Sequence, residues 1–202
     1  MDGLLFYWLF WCGWIITTFF YPKTHPDRLL FSAWILTAII FSTASITILG
    51  YEINGTGLFI VLSIYIWAAH LPTKKLLYFF VSSFILMLTS VCFLLFELFD
   101  PIWIVIKREW LLAILVACVA ILLHSDKHQR ILAVLLGMVQ SDILYSFILK
   151  GYSFSYPIAE LYALDALALA AALLVGWNTL EFVVSYFERN MHSIEKEKQK
   201  LT

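Results

Sequence analysis

Seven stretches of the chain are almost wholly apolar, with short polar stretches between them. They run from Gly3 to Tyr21, Leu29 to Leu49, Gly57 to Leu71, Leu76 to Phe99, Trp110 to His124, Ile131 to Leu149 and Ile158 to Phe187. Crossing a hydrocarbon core takes about 20 apolar residues, within a range of roughly 17–25. Backbone in lipid must satisfy its own hydrogen bonds, so continuous runs of this kind predict helices. The expected fold is an all-α polytopic transmembrane bundle of seven spans over residues 1–188. A charged cytoplasmic tail, 189–202, follows it.

The third and fifth runs are short, about 22 Å at 1.5 Å per residue, and either could be re-entrant. The charges between the runs argue for crossing. Lys23, Arg28, Lys74, Lys75, Lys127, Arg130, Arg189, Lys196, Lys198 and Lys200 fall on one side, ten in all, against Lys107, Arg108 and Lys150 on the other. Dropping either short run turns that split into five against eight. Basic loops stay in the cytoplasm, so the pattern predicts an outside N-terminus and a cytoplasmic C-terminus. Aromatic residues near the run ends, Trp8, Tyr21, Tyr51, Trp67, Trp110 and Tyr186 among them, fit an interfacial belt.

Composition agrees. Hydrophobic residues make up 62% of the 202 and charged ones 13%, and mean hydropathy is +0.89. A soluble fold of this size could not hide so much apolar surface. The net charge of -1 gives no field for nucleic acid. Cys12, Cys92 and Cys118 lie in apolar runs without a CxxC pair, which reads as free thiols packing as small apolar groups. The first run lacks a basic start and a small-residue cleavage site, so it reads as a retained helix. In the tail, Glu195 with Lys198 and Glu197 with Lys200 are i,i+3 pairs that support continued helix. Asn54-Gly55-Thr56 matches a glycosylation acceptor, but a three-residue match so close to the membrane reads as incidental.

Ionisable groups at membrane depth are costly and mark candidate sites. Asp142 lies seven residues before the end of the sixth run and Asp165 seven after the start of the seventh. Both are expected about 10 Å below the outer boundary, with Gln140, Ser141, Tyr145 and Tyr162 nearby as donors and acceptors and Glu160, a further candidate, nearer the outer surface and open to water. Alanines at 163, 166, 168 and 170–172 allow close helix approach. Two adjacent carboxylates cannot easily both ionise, so the pair could share a proton or hold a cation. The plainer reading is a single protonated Asp hydrogen-bonding across helices, and the two could also face different partners. Asn178 and Glu181, toward the inner end, are expected to pair locally or snorkel. His70 and His124 read as interfacial rather than as metal ligands. No metal or cofactor site is expected.

No motif fixes an activity. HExxH, the phosphate-cradling GxxxxGK[ST] and GxSxG are absent, and the seventh run has no lysine for a retinal Schiff base. Intramembrane aspartyl proteases of the presenilin type also place one Asp on each of two helices. Their Tyr-Asp and Gly-x-Gly-Asp contexts are missing: here the residues are Gln140-Ser141-Asp142 and Ala163-Leu164-Asp165. The length, the seven runs and the aromatic start Leu4-Leu5-Phe6-Tyr7-Trp8 with Trp11 and Trp14 resemble the YphA family of small multi-pass membrane proteins from spore-forming Gram-positive bacteria. That resemblance implies a bacterial cytoplasmic membrane and no assigned activity. The expected role is a non-catalytic interaction or accessory protein in the bilayer, with a membrane-protein partner or a second copy. The alternative is a small transporter or substrate-binding subunit using Asp142 and Asp165.

Overall fold

The computed structural model describes residues 2–22, 26–100, 102 and 106–200, with side chains described as far as 188. The tail ion pairs expected at 195–200 therefore lie outside the described side chains. Seven helices run alternately up and down: α1 (Leu4–Ile15), α2 (Arg28–Phe41), α3 (Gly55–Ala68), α4 (Thr73–Phe99), α5 (Arg108–Leu123), α6 (Lys127–Gly151) and α7 (Leu161–Lys200). Ile16–Phe20 extend α1 as a wider π turn. Helices α4, α6 and the Leu161–Glu188 part of α7 are each long and apolar enough to cross a membrane. α2 and α3, at 14 residues each, reach about 21 Å.

Local chemistry sets the helix ends. Asp126 caps α6, accepting from His128 N at 2.9 Å. Asn54 caps α3, accepting from Thr56 N at 2.8 Å and donating its amide to the Ser42 carbonyl at 2.9 Å. The Asn54 side chain thus has a structural job on both atoms.

The second apolar run does not continue as helix to Leu49. α2 stops at Phe41, and the Ser42 and Thr43 hydroxyls bond back to the Ile39 and Ile40 carbonyls. A two-stranded antiparallel hairpin follows, β1 (Ser45–Ile48) and β2 (Tyr51–Asn54). The physical reason is local. Ser-Ile-Thr-Ile favours strand through its β-branched residues, and the turn takes positive φ at both Leu49 (53°) and Gly50 (77°), the geometry of a tight hairpin turn. Lys150 at the end of α6 donates to the Leu49 and Gly50 carbonyls at 3.1 and 3.3 Å and sits 3.6 Å from the Tyr51 ring centroid. On its other side β2 meets the loop before α7: Ile158 N bonds to the Glu52 carbonyl at 2.8 Å and Asn54 N to the Ile158 carbonyl at 3.0 Å. Ile158, expected in the last span, is therefore part of this sheet-like contact rather than of α7.

α6 is the centre of the bundle. It packs on α3, α4, α5 and α7, and seven consecutive residues, Ala133–Val139, are buried. A helix covered on every side must be apolar all round. Gly137 lets α4 approach: a Cβ there would lie 2.8 Å from Leu86 Cβ and 2.9 Å from the Ser83 carbonyl. A second, smaller cluster joins α1 and α2 to α7 through Phe6, Phe10, Ala38, Leu164 and Ala168. The outside of the bundle stays apolar, with Phe19, Leu29, Leu77, Leu122, Phe147 and Phe182 all more than 60% exposed, a surface suited to lipid and not to water.

Candidate functional site

The buried charged groups lie toward the two ends of the bundle, Asp142 and Asp165 at one and Arg130 at the other. At the end that carries the hairpin, Asp165 lies in the first turns of α7 and is 6% exposed. Its two carboxylate oxygens accept from Gly3 N at 2.8 Å and Phe6 N at 2.7 Å. The N–H groups of a first helical turn have no partner within the helix. Gly3 sits at the start of α1 with φ 86° and has no side chain to cap with. Asp165 supplies that cap from 162 residues away, and its negative charge meets the positive end of the helix dipole.

Asp142 is 7% exposed and accepts from Ala159 N at 3.2 Å. Ala159 holds φ 55°, an uncommon conformation for a residue with a side chain. It is wedged against α3, where a Cβ on Gly57 would lie 2.4 Å from Ala159 Cβ. Asp142 and Ser146, whose hydroxyl donates to the Tyr156 carbonyl at 2.7 Å, thus fasten the loop before α7 onto α6.

Beside Asp142 is a small cavity of about 20 Å³, lined by Arg108, Leu112, Ser141, Asp142, Ala159 and Tyr162 among others. That is room for about one water molecule. Arg108 pairs with Glu97 of α4 at 3.4 Å, and its guanidinium carbon stands 4.9 Å from the Tyr162 ring centroid. The rings of Tyr145, Tyr156 and Tyr162 follow one another edge to face, 4.8 and 5.9 Å apart. The Tyr156 and Tyr162 hydroxyl oxygens are buried with no hydrogen bond of normal geometry. Burial, first, and the Asp142 charge, second, push the Tyr156 hydroxyl well above the usual phenol range, so it keeps its proton.

Asp142 and Tyr162 line this cavity, while Tyr145 packs its ring against Tyr156. Ser141 lines it too, with its hydroxyl bonded to the Met138 carbonyl at 2.6 Å. The other candidates go elsewhere. Asp165 turns to the start of α1. Gln140 donates to the Tyr65 hydroxyl on α3 at 3.0 Å. Glu160 is exposed. Arg108 and Tyr156 were not among the sequence candidates, because Arg108 counted only as a loop charge and Tyr156 only as loop. The available signal was Glu97 and Arg108 flanking one short connection, at facing ends of two apolar runs.

At the opposite end a second network joins α6 to α7. Arg130, 3% exposed, donates to the His124 carbonyl at 2.9 Å, to Asn178 Oδ1 at 2.8 Å and to Glu181 Oε1 at 3.1 Å. Lys127 reaches the Asn178 carbonyl at 3.0 Å and Glu181 at 3.6 Å, and Trp177 donates to Glu181 at 2.6 Å. His124 is buried and lies 2.6 Å from the Ser82 hydroxyl. Glu181 and Asn178 thus pair across helices. The signal for Arg130 was an Asn and a Glu three residues apart in an apolar run, on the helix that faces it.

The model of the YphA-like integral membrane protein family matches residues 2–200. The chain belongs to that family. It is 28% identical to a Bacillus subtilis (strain 168) protein described as uncharacterized protein YphA, over 186 residues, 92% of each chain. No solved structure matches it. The YphA-like chain is therefore an integral membrane protein, and its apolar exterior faces lipid. Among the described residues, no group of three or more His, Cys, Asp or Glu side chains could hold a metal ion.

Proposed function

We propose that this YphA-like protein is a non-catalytic, seven-span protein of the bacterial cytoplasmic membrane that acts by associating with another membrane protein. The observation that carries the reading is the use of its buried carboxylates. Asp165 is bonded to two backbone N–H groups and Asp142 to one. The cavity beside Asp142 admits about one water, far below the roughly 300 Å³ of a small-molecule pocket. The up-and-down order of seven helices and the ten-to-three split of basic residues support seven crossings with the tail inside.

Two experiments test this. Affinity purification of the tagged full-length chain from its native membrane should bring down a stoichiometric partner, and truncation after residue 188 should lose it. A wild-type chain that purifies alone, as a monomer, under mild crosslinking sinks the reading. For topology, a cysteine placed at Tyr152 should react with an impermeant thiol reagent in whole cells. One placed at Ser193 should react only after permeabilisation. The reverse pattern overturns the orientation.

The second reading, a small transporter or substrate-binding subunit, is favoured by the cavity at Asp142. It places any coupling site on Asp142 rather than on an Asp142–Asp165 pair.

A further inference from the structure

We propose that the Asp142 cavity is a binding site for one compact monovalent cation, either sodium or a proton. Three observations converge. The first is charge. Arg108 stands beside Asp142 and also pairs with Glu97 at 3.4 Å, so two carboxylates share one guanidinium. Asp142 forms one group with Arg108 from α5, the ion-pair partner of Arg108, Glu97 from α4, Tyr145 on its own helix, Tyr156 from the loop and Tyr162 from α7, while Glu160 acts on Tyr162 from the exposed side. Their formal sum is negative. A buried carboxylate needs a counter-charge or a proton, because an isolated ion in a low dielectric is costly.

The second observation is vacant acceptor capacity. A carboxylate has about four lone-pair sites, and among the described residues Asp142 is bonded to the Ala159 N–H alone. Tyr162 lines the same cavity, and its buried hydroxyl oxygen, next to that of Tyr156, has no hydrogen bond of normal geometry. The third is size. A volume of about 20 Å³ takes one water-sized occupant. Carboxylate and phenol oxygens are hard ligands, suited to a small hard cation. The site stands whether or not the protein has a membrane partner, and its readout is separate from co-purification.

The test uses the purified full-length protein in neutral detergent, with sodium chloride exchanged for choline chloride at constant ionic strength across a series of pH values. The thermal unfolding midpoint is read for wild type, Asp142→Asn and Tyr162→Phe. If the occupant is sodium, sodium raises the wild-type midpoint and leaves Asp142→Asn unmoved. The half-maximal sodium concentration in Tyr162→Phe then rises by about tenfold, the loss of one good ligand contact. If the occupant is a proton, the wild-type midpoint falls as pH rises, whatever the sodium concentration, and Asp142→Asn stays flat near the low-pH level. Wild type and both variants responding alike to sodium and to pH overturns the proposal. Tyr162→Phe keeps the test decisive should Asp142→Asn fail to fold.

Discussion

The two polar ends of the bundle solve the same problem by different means. At the end opposite the hairpin, a buried Arg130 meets the full opposite charge of Glu181, assisted by Asn178, Lys127 and the His124 carbonyl. At the hairpin end, Asp165 meets only the partial positive charge of a helix start, on Gly3 and Phe6, and Asp142 a single loop N–H. A full counter-charge gives a strong local clamp between α6 and α7. A backbone counter-charge is weaker per contact, but it can tie together segments with no charged side chain to offer. The first and last helices are joined in that way. The comparison predicts that damage to the charged end costs global stability, while damage to the hairpin end loosens particular segments.

The largest effect is expected from Arg130→Met. It removes the three hydrogen bonds that the buried guanidinium donates to the His124 carbonyl, Asn178 and Glu181, and the loss should be about 3 kcal/mol. The unfolding midpoint in detergent should fall clearly, and the double variant Arg130→Met, Glu181→Met should recover part of the loss. A double variant as unstable as the sum of the singles would mean the pair is not coupled.

Gly57→Ala comes next, because the new methyl meets Ala159 Cβ at 2.4 Å. Overpacking of this kind costs about 2 kcal/mol. Adding Ala159→Gly should restore stability, since glycine removes the clash and accepts φ 55° freely. Failure to restore would place the strain elsewhere.

Asp165→Asn should cost about 1 kcal/mol, the usual value of a helix cap. Hydrogen exchange should speed up in the first turn of α1 and stay unchanged in the middle of α6. Uniform speeding would mean that Asp165 supports the whole bundle. The smallest effect is expected from Lys150→Met, about 0.5 kcal/mol for an exposed cation over a ring. It should show as faster proteolysis at the Leu49–Gly50 turn, with no change in the unfolding midpoint.

Much of this architecture was legible in the chain. The apolar runs located all seven helices, because hydropathy is a local property that accumulates along the sequence. The exception was the second run. Ile46, Ile48 and Leu49 are as apolar as a span residue, and hydropathy alone could not separate strand from helix there. What distinguishes them is β-branching next to a Gly turn, together with two partners, Lys150 and Ile158, a hundred residues further on. That Asp142 and Asp165 fall toward the facing ends of α6 and α7 was legible from counting residues, although Asp142 lies nine residues before the end of α6 and Asp165 only four after the start of α7. Their rotation about the helix axes was not, so the sequence could not tell a shared carboxylate pair from two separate caps.

The sequence by itself determined the solvent and the secondary structure. An apolar chain with few charges dissolves in lipid, and backbone in lipid closes its own hydrogen bonds as helix. The tertiary structure decided where each buried charge ends. That depends on which helix faces meet, and the facing surfaces come from chain segments as far apart as Gly3 and Asp165. No local pattern records such a contact, because neither segment alone contains the group that satisfies it.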